Sequence, residues 1–351
     1  MHRPRSVRQA DVRGKRVLVR ADLNVPLEHG TVADDTRIVA ALPTLVWLLD
    51  EGATEVAVCS HLGRPKSEED RATYAMAPVE AELRRHVHDD RLVVLENTRF
   101  HPGETANDEA YARELAEGRD LYVNDAFGSA HRAHASTEAV AHLLPAYAGF
   151  LLEQELEHLG RLLGDVDRPF VLVAGGAKVD DKLGVLQHLG GRADTVIVGG
   201  KMAEELRDEN PLDFPVVLPT DVVAAETFEP DAAAKVTPYD DVPPGWLGLD
   251  IGPESQARFA DEVSRARTIF WNGPMGVFEW ERFSDGTKAV AKAVAENSSA
   301  YSVVGGGDSV RAVNELGFAE RVSWLSTGGG ASLELLEGRE LPGVAAIPEA
   351  R

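Results

Sequence analysis

Cations and glycines recur at regular places in this sequence of 351 residues. In the first half the cations are Arg20 in RADLN, Arg37 at a helix start, His61 and Arg64 in SHLGR, Arg99 in LENTRF, and His131/Arg132 in GSAHRAH. The planar fork of arginine binds phosphate or carboxylate bidentately. Any one of these arginines alone reads most simply as the surface partner of a nearby acid. Five arginines and two histidines brought to one sheet edge read instead as a site for a polyanion. The second half presents glycine: Gly175–Lys178, Gly199–Met202, Leu249–Pro253, Trp271–Gly276, Gly305–Ser309 and Ser326–Ser332. A glycine turn between a strand and a helix start aims backbone N–H groups at an anion. Gly305–Ser309 fits best, with Asp308/Ser309 as cap of a helix over Val310–Leu316. Together with Lys178 and Lys182, spaced one helical turn apart, these loops read as a nucleotide phosphate site. It is not a Walker A loop: near Gly200-Lys201, Thr195 stands where the first glycine belongs and Met202 where Ser/Thr belongs. No GxGxxG follows the first strand, which argues against a dinucleotide dehydrogenase.

Such residues need a scaffold that delivers them to one edge. Short apolar runs alternate with longer amphipathic stretches, the pattern of parallel sheets covered by helices. The expected strands are Arg16–Arg20, Glu55–Cys59, Arg91–Leu95 and Leu121–Val123. In the second half they are Pro169–Ala174, Thr195–Val198, Pro215–Leu218, Trp246–Asp250, Thr268–Trp271, Tyr301–Val304 and Arg321–Leu325. Asp34/Asp35 can cap a helix carrying Ile38, Leu42, Leu45 and Leu49, closed by Gly52. Pro43 within it predicts a kink or a later start. Phe150–Leu163 reads as one amphipathic helix, and a domain boundary is expected at Arg168-Pro169. The expected fold class is α/β, two lobes, each a doubly wound parallel sheet with helices on both faces, joined by an interdomain helix. Ligands of such sheets bind beyond the carboxyl ends of the strands.

Composition narrows the partners. The length fits two domains, and 44% hydrophobic with 27% charged residues describes a globular protein. No apolar run reaches the roughly 18 residues of a membrane helix. The polar start Met1–Gly14 lacks a signal peptide's apolar stretch, so a cytoplasmic location is expected. The single cysteine, Cys59, excludes an intrachain disulfide and reads as a buried thiol. A net charge of −22 repels nucleic acid and anionic membranes. Lysine occurs only eight times among the 36 basic residues. An acidic, lysine-poor surface points to a salt-rich cytoplasm, where screening relieves self-repulsion; drift toward arginine in a GC-rich genome accounts less well for the excess acid.

Eleven stretches, in order and spanning nearly the whole chain, closely resemble phosphoglycerate kinase: RADLNVPL, DDTRI, SHLGRPK, LENTRF, VNDAFGSAHRAHAS, GGAKVDDK, LPTDVV, LDIGPES, WNGPMGVFE, GGGDS and STGGGASLELLEG. The resemblance implies reversible phosphoryl transfer between 1,3-bisphosphoglycerate and ADP, giving 3-phosphoglycerate and ATP. It implies that 3-phosphoglycerate is held by Asp22, Leu23, Asn24, Arg37, His61, Leu62, Gly63, Arg64, Arg99 and Arg132. Mg-nucleotide would be held by Lys178, Lys182, Gly248, Asn272, Glu279, Gly306, Gly307, Asp308 and Ser309, with Glu279 on the ribose and Asp308 on Mg²⁺. Arg37, Lys182, Gly306 and Gly307 would neutralise the transferring group. The implied lobes are 1–149 for 3-phosphoglycerate, rejoined by a tail at 333–351, a hinge at 150–168, and 169–332 for the nucleotide, in a monomer without nucleic-acid or membrane partners.

The sequence departs from that pattern in places. Ser309 stands where threonine is usual, and Lys201 replaces a common glycine. Glu82–Arg91 and Glu204–Pro215 are shorter than usual. The resemblance places the purine by Gly199–Ala203, where Met202, Ala203 and Leu206 offer little polar wall. The reaction needs no general base, because both attacking oxygens are ionised near neutral pH, and no catalytic dyad is present. His61 and His131 accordingly read as binding groups. Two alternatives are a two-lobed binding protein, which has no need of Lys182 or Asp308, and a catalytically inactive homologue, which is expected to have lost some of these residues.

Overall fold

The computed structural model describes residues 2–350 and divides them into two compact units. One comprises residues up to Glu157 together with those from Glu340 on; the other is His158–Arg339. The division falls inside the helix Phe150–Leu163, which runs unbroken over the expected span, and at Glu340.

The N-terminal unit is built on a sheet whose strands are β1 (Arg16–Ala21), β4 (Glu55–Cys59), β5 (Leu92–Val94), β6 (Leu121–Asp125) and β7 (Ala146–Ala148). A two-residue hairpin, β2 (Leu27–Glu28) with β3 (Thr31–Val32), lies beside it in sequence. The order is β5-β4-β1-β6-β7, all parallel. Successive strands are laid to one side of β1 and then to the other, so the winding reverses between β1 and β6. Its core packs Val17, Val19, Val56 and Val58 of the sheet against Leu45, Leu48, Val79 and Leu83 of two helices. The first of these helices, Thr36–Asp50, passes through Pro43 without interruption. The carbonyl that Pro43 leaves unbonded belongs to Val39, which is exposed and open to water.

The second unit repeats the plan with β8 (Phe170–Ala174), β9 (Thr195–Val198), β13 (Thr268–Asn272), β14 (Tyr301–Gly305) and β15 (Trp324–Leu325), in the order β15-β14-β13-β8-β9. Here the winding reverses between β8 and β13. Register pairs Ala174 with Asn272 and Asn272 with Gly305, so the strand ends that carry the glycine loops stand side by side. Val171, Ile197, Ile269 and Trp271 face Phe259, Val263, Val290 and Val294 in the core.

Two expectations fail in this unit. Pro215–Leu218 is not a strand: Val217 alone bridges Ile197. Leu247–Ile251 (β12) belongs to a separate antiparallel sheet with β10 (Asp221–Ala225) and β11 (Ala234–Pro238), order β11-β10-β12. That small sheet has a core of its own at Ala225, Leu249 and Phe283. Among the described residues no helix is long and apolar enough to cross a membrane.

Candidate active site

In each parallel sheet the crevice lies where the winding reverses. In the N-terminal unit that point is flanked by the loops after β1 and β6. Asp22, just past β1, is buried and ion-paired with Arg37 from the first turn of Thr36–Asp50. Gly128, after β6, packs so closely on this pair that a Cβ there would collide with Asp22 Oδ2. Asp22 Oδ1 is buried and, among the described residues, has no hydrogen-bond partner.

The rest of the edge is braced from behind. Arg20 does not face the crevice, contrary to the sequence-based expectation; it is 1% exposed. Its Nη2 donates to His61 Nδ1 at 2.9 Å, and its Nε donates to Ser136 Oγ at 2.8 Å. Ser136 Oγ in turn donates to the fully buried Glu104 at 2.6 Å. Guanidinium only donates, so His61 Nδ1 must accept and Nε2 carries the proton. Burial, with Arg20, Arg99 and Arg37 nearby, holds the His61 pKa well below the ordinary histidine range. The ring is thus a neutral donor at Nε2, suited to holding an anion rather than relaying a proton.

Arg99 is half-buried and gives Nη1–H to Gly63 O at 2.5 Å. Burial, with Arg132, Arg20 and Arg64 close by, lowers its pKa, the mark of cations gathered on one edge. Arg64 and Arg132 are exposed, and Arg132 Nε donates to His131 Nε2 at 3.1 Å. The SHLGR loop is pinned by its neighbours: Gly63 N–H donates to Asn24 Oδ1 at 2.8 Å, and Asn97 Nδ2 donates to Leu62 O at 2.8 Å. Leu23 N–H donates to Ser60 Oγ at 2.9 Å. Leu23 and Leu62 are themselves buried and contribute shape through their backbone.

In the second unit one cation sits between the central strands. Lys182 Nζ donates to Gly175 O, after β8, at 2.5 Å and to Asn272 O, ending β13, at 2.9 Å. Burial lowers its pKa to about 8, against the opposing charges of Asp308 and Asp181. Lys178 and Lys182 are not on a shared helix; they occupy a turn, and Lys178 is exposed on its surface. Gly273, at φ +102°, admits Lys182: a Cβ there would strike the Gly175 carbonyl and the ammonium. The helix Gly307–Glu315 begins directly after Gly306, at φ +86°, and its first-turn N–H groups lack carbonyl partners within the helix. Asn272 packs against Gly306, and Ser309 Oγ accepts from Gly273 N–H at 2.6 Å. Gly307 and Asp308 are exposed in that first turn. The amides, Lys182 and the helix dipole together favour a phosphate chain, and the exposed carboxylate of Asp308 suits a hard cation such as Mg²⁺.

The nucleoside end differs from expectation. Met202, Ala203 and Leu206 are buried in the unit's interior. The half-buried Glu204 instead faces Gly248, close enough that a Cβ on that glycine would lie 3.0 Å from its Oε1. Burial raises the Glu204 pKa. Glu279 is exposed, near enough to Arg311 to act on its charge. Of the groups the sequence reading missed, Ser136 lies inside a recognised stretch and Glu104 just after one, but nothing in the sequence pairs them with Arg20.

A family model described as Phosphoglycerate kinase matches residues 7–91, 85–213 and 209–339. A phosphoglycerate kinase of Rubrobacter xylanophilus is 52% identical over 98% of each chain, and one of Roseiflexus castenholzii 48% identical over 99% of each. Among solved structures, the phosphoglycerate kinase of Coxiella burnetii matches at 36% identity and a TM-score of 0.86, covering 98% of both chains. That of Pyrococcus horikoshii matches at 29% identity and 0.82, with the same coverage.

Proposed function

We propose a mechanism from one premise: the chain belongs to the phosphoglycerate kinase family, and its reaction is reversible phosphoryl transfer between 1,3-bisphosphoglycerate and ADP. In the forward direction a β-phosphate oxygen of ADP attacks the acyl phosphorus as the bond to the C1 carboxylate oxygen breaks. Both oxygens are ionised, so positioning and charge neutralisation carry the catalysis.

We assign 3-phosphoglycerate to the N-terminal edge. Its phosphate faces Arg64, Arg99 and Arg132, with His61 Nε2–H as a neutral donor. Asp22 Oδ1, the buried acceptor without a partner among the described residues, fits the substrate hydroxyl, with Leu23, Asn24, Leu62 and Gly63 shaping the wall. The Mg²⁺-bound nucleotide is assigned to the second unit, its phosphates on Lys178, Lys182, Asn272, Ser309 and the amides at Gly306 and Gly307, its ribose on Glu279, and its nucleoside end against Gly248. Mg²⁺ arrives with the nucleotide as substrate, and Asp308 is the residue that holds it. Arg37 and Lys182 neutralise the transferring group. Transfer requires the two bound substrates to meet, and closure about residues 150–168 is the movement that brings them in line and excludes water.

The observation that carries this reading is Lys182, a half-buried cation held by the carbonyls at the ends of two adjacent strands where the winding reverses. A coupled assay with ATP, Mg²⁺ and 3-phosphoglycerate, at low and multimolar salt, tests it. Folded protein that forms no ADP at any salt concentration overturns the reading.

A further inference from the structure

Away from the strand ends, three side chains from two distant segments converge on one point. His86 ends the helix Ala77–His86, and its Nε2 lies 3.2 Å from Asp35 Oδ2 and 3.8 Å from Glu82 Oε1. Glu82 and His86 stand one turn apart and share a helix face. Asp35 arrives from the residue before the helix Thr36–Asp50, where it makes no capping hydrogen bond, because Asp34 Oδ1 accepts from Thr36 N–H instead. The three ligand atoms lie within 4.8 Å of one another, and all three residues line a cavity of about 620 Å³.

We propose that Asp35, Glu82 and His86 form a divalent-cation site on the N-terminal unit, with Zn²⁺ the preferred ion and water completing its coordination.

Geometry and chemistry agree on this. Zinc–nitrogen and zinc–oxygen bonds of about 2.0–2.2 Å place neighbouring ligand atoms roughly 3.0–3.6 Å apart. The two separations to His86 already fall at or near that range, and only the carboxylates need draw together. Without a cation the cluster is poorly matched. Neutral imidazole can give one Nε2–H to one carboxylate, leaving the other to face a like charge. A cation satisfies the ring nitrogen and both carboxylates at once. Imidazole in the set selects zinc and its neighbours over Mg²⁺ and Ca²⁺, which prefer oxygen alone. Arg85 competes for Glu82, with Nη1 at 3.2 and 3.0 Å from its two oxygens, but its side chain is 76% exposed. An ion pair so exposed holds weakly.

A bound cation would tie together segments far apart in sequence and anchor the helix start from which Arg37, two residues on, reaches Asp22. The test is calorimetric titration of ZnCl₂ into the metal-stripped full chain without nucleotide. We expect one equivalent bound in the micromolar range or tighter, undiminished by millimolar Mg²⁺, with a rise in melting temperature. His86→Ala and Asp35→Asn should each weaken binding at least about tenfold, the scale reached by losing even an outer-shell partner. Both should cancel the Zn²⁺-dependent rise in melting temperature while leaving the activity measured with Mg²⁺ and no Zn²⁺ unchanged. Circular dichroism confirms that each variant is folded, and should His86→Ala not fold, Asp35→Asn carries the test. No saturable binding by the unaltered chain, or unaltered affinity in a folded variant, overturns the proposal.

Discussion

The two units prepare their strand ends with different materials. The N-terminal edge presents side chains, and a chain of others behind it braces one of them: Arg20 fixes the tautomer of His61, and Glu104 holds Ser136, which holds Arg20. The second unit presents backbone: glycine turns, a helix start and a single lysine between two carbonyls. Charge on side chains can be removed piece by piece. A backbone site has few pieces to remove, and what breaks it is an added atom where none fits.

The largest expected effect follows from that contrast. Gly273→Ala places a Cβ against the Gly175 carbonyl and Lys182, and a carbonyl cannot step aside as a flexible side chain can. We expect kcat/KM for the nucleotide to fall on the order of 10³-fold, the upper range for losing one preorganised electrostatic donor. Binding of 3-phosphoglycerate, measured calorimetrically, should persist. Gly128→Ala meets only the ends of the Asp22 and Arg37 side chains, and its effect on kcat/KM for 3-phosphoglycerate should be smaller, about tenfold. The opposite ranking breaks the comparison.

Within the side-chain edge, Arg37→Ala should lower kcat on the order of 10²-fold with little change in either KM, as for an interaction made in the transition state. Arg99→Ala should chiefly raise KM for 3-phosphoglycerate. A reversed pattern in steady-state kinetics means that the two arginines exchange roles.

The pH profile sharpens the contrast further. Lys182 is charged below its pKa of about 8 and loses its proton above it. Since kcat/KM reports the free enzyme, its value for the nucleotide should fall about fivefold between pH 8 and pH 9. Bound phosphates favour the ammonium, so kcat should fall only at higher pH. A flat kcat/KM profile to pH 9.5 would show that Lys182 does not contact phosphate.

The smallest effect concerns the base. GTP should support turnover with kcat/KM within about tenfold of ATP, and Glu204→Gln should move that ratio by less than about tenfold. A preference for ATP of hundreds-fold would reveal base recognition by buried polar groups.

Much of the scaffold was legible because period and length both spoke for it: β4 and the helix Phe150–Leu163 match their expected spans residue for residue. The antiparallel sheet β10-β11-β12 was not. Asp221–Ala225 (DVVAA) shows no alternation, Ala234–Pro238 (AKVTP) alternates but exposes Val236 and buries Thr237, and only β12 carries a run that reads as a strand. The Gly305 turn could be read from its position after a strand, whereas Asp22 and Asn272 entered through the family resemblance. For Arg20 position misleads. As the last arginine of β1 it resembles a ligand, and only its pairing with His61 and Ser136, 41 and 116 residues away, reveals a brace. Burial decided the nucleoside end as well, turning Met202 and Leu206 inward and leaving Glu204 beside Gly248.

The N-terminal unit is closed by residues made long after the rest of it. Pro4 pairs with Glu349, Arg5 N–H donates to Pro348 O at 2.9 Å, and the buried Asn124 amide donates to Gly343 O at 2.9 Å. On the ribosome all of His158–Arg339 is made between the two parts of that unit. At roughly 5–20 residues per second, that interval lasts on the order of 10–40 s. Through it the first sheet stands without its closing strap, and the Asn124 amide has no Gly343 carbonyl to meet. The order of synthesis is therefore the reverse of the order of completion: the unit begun first is finished last.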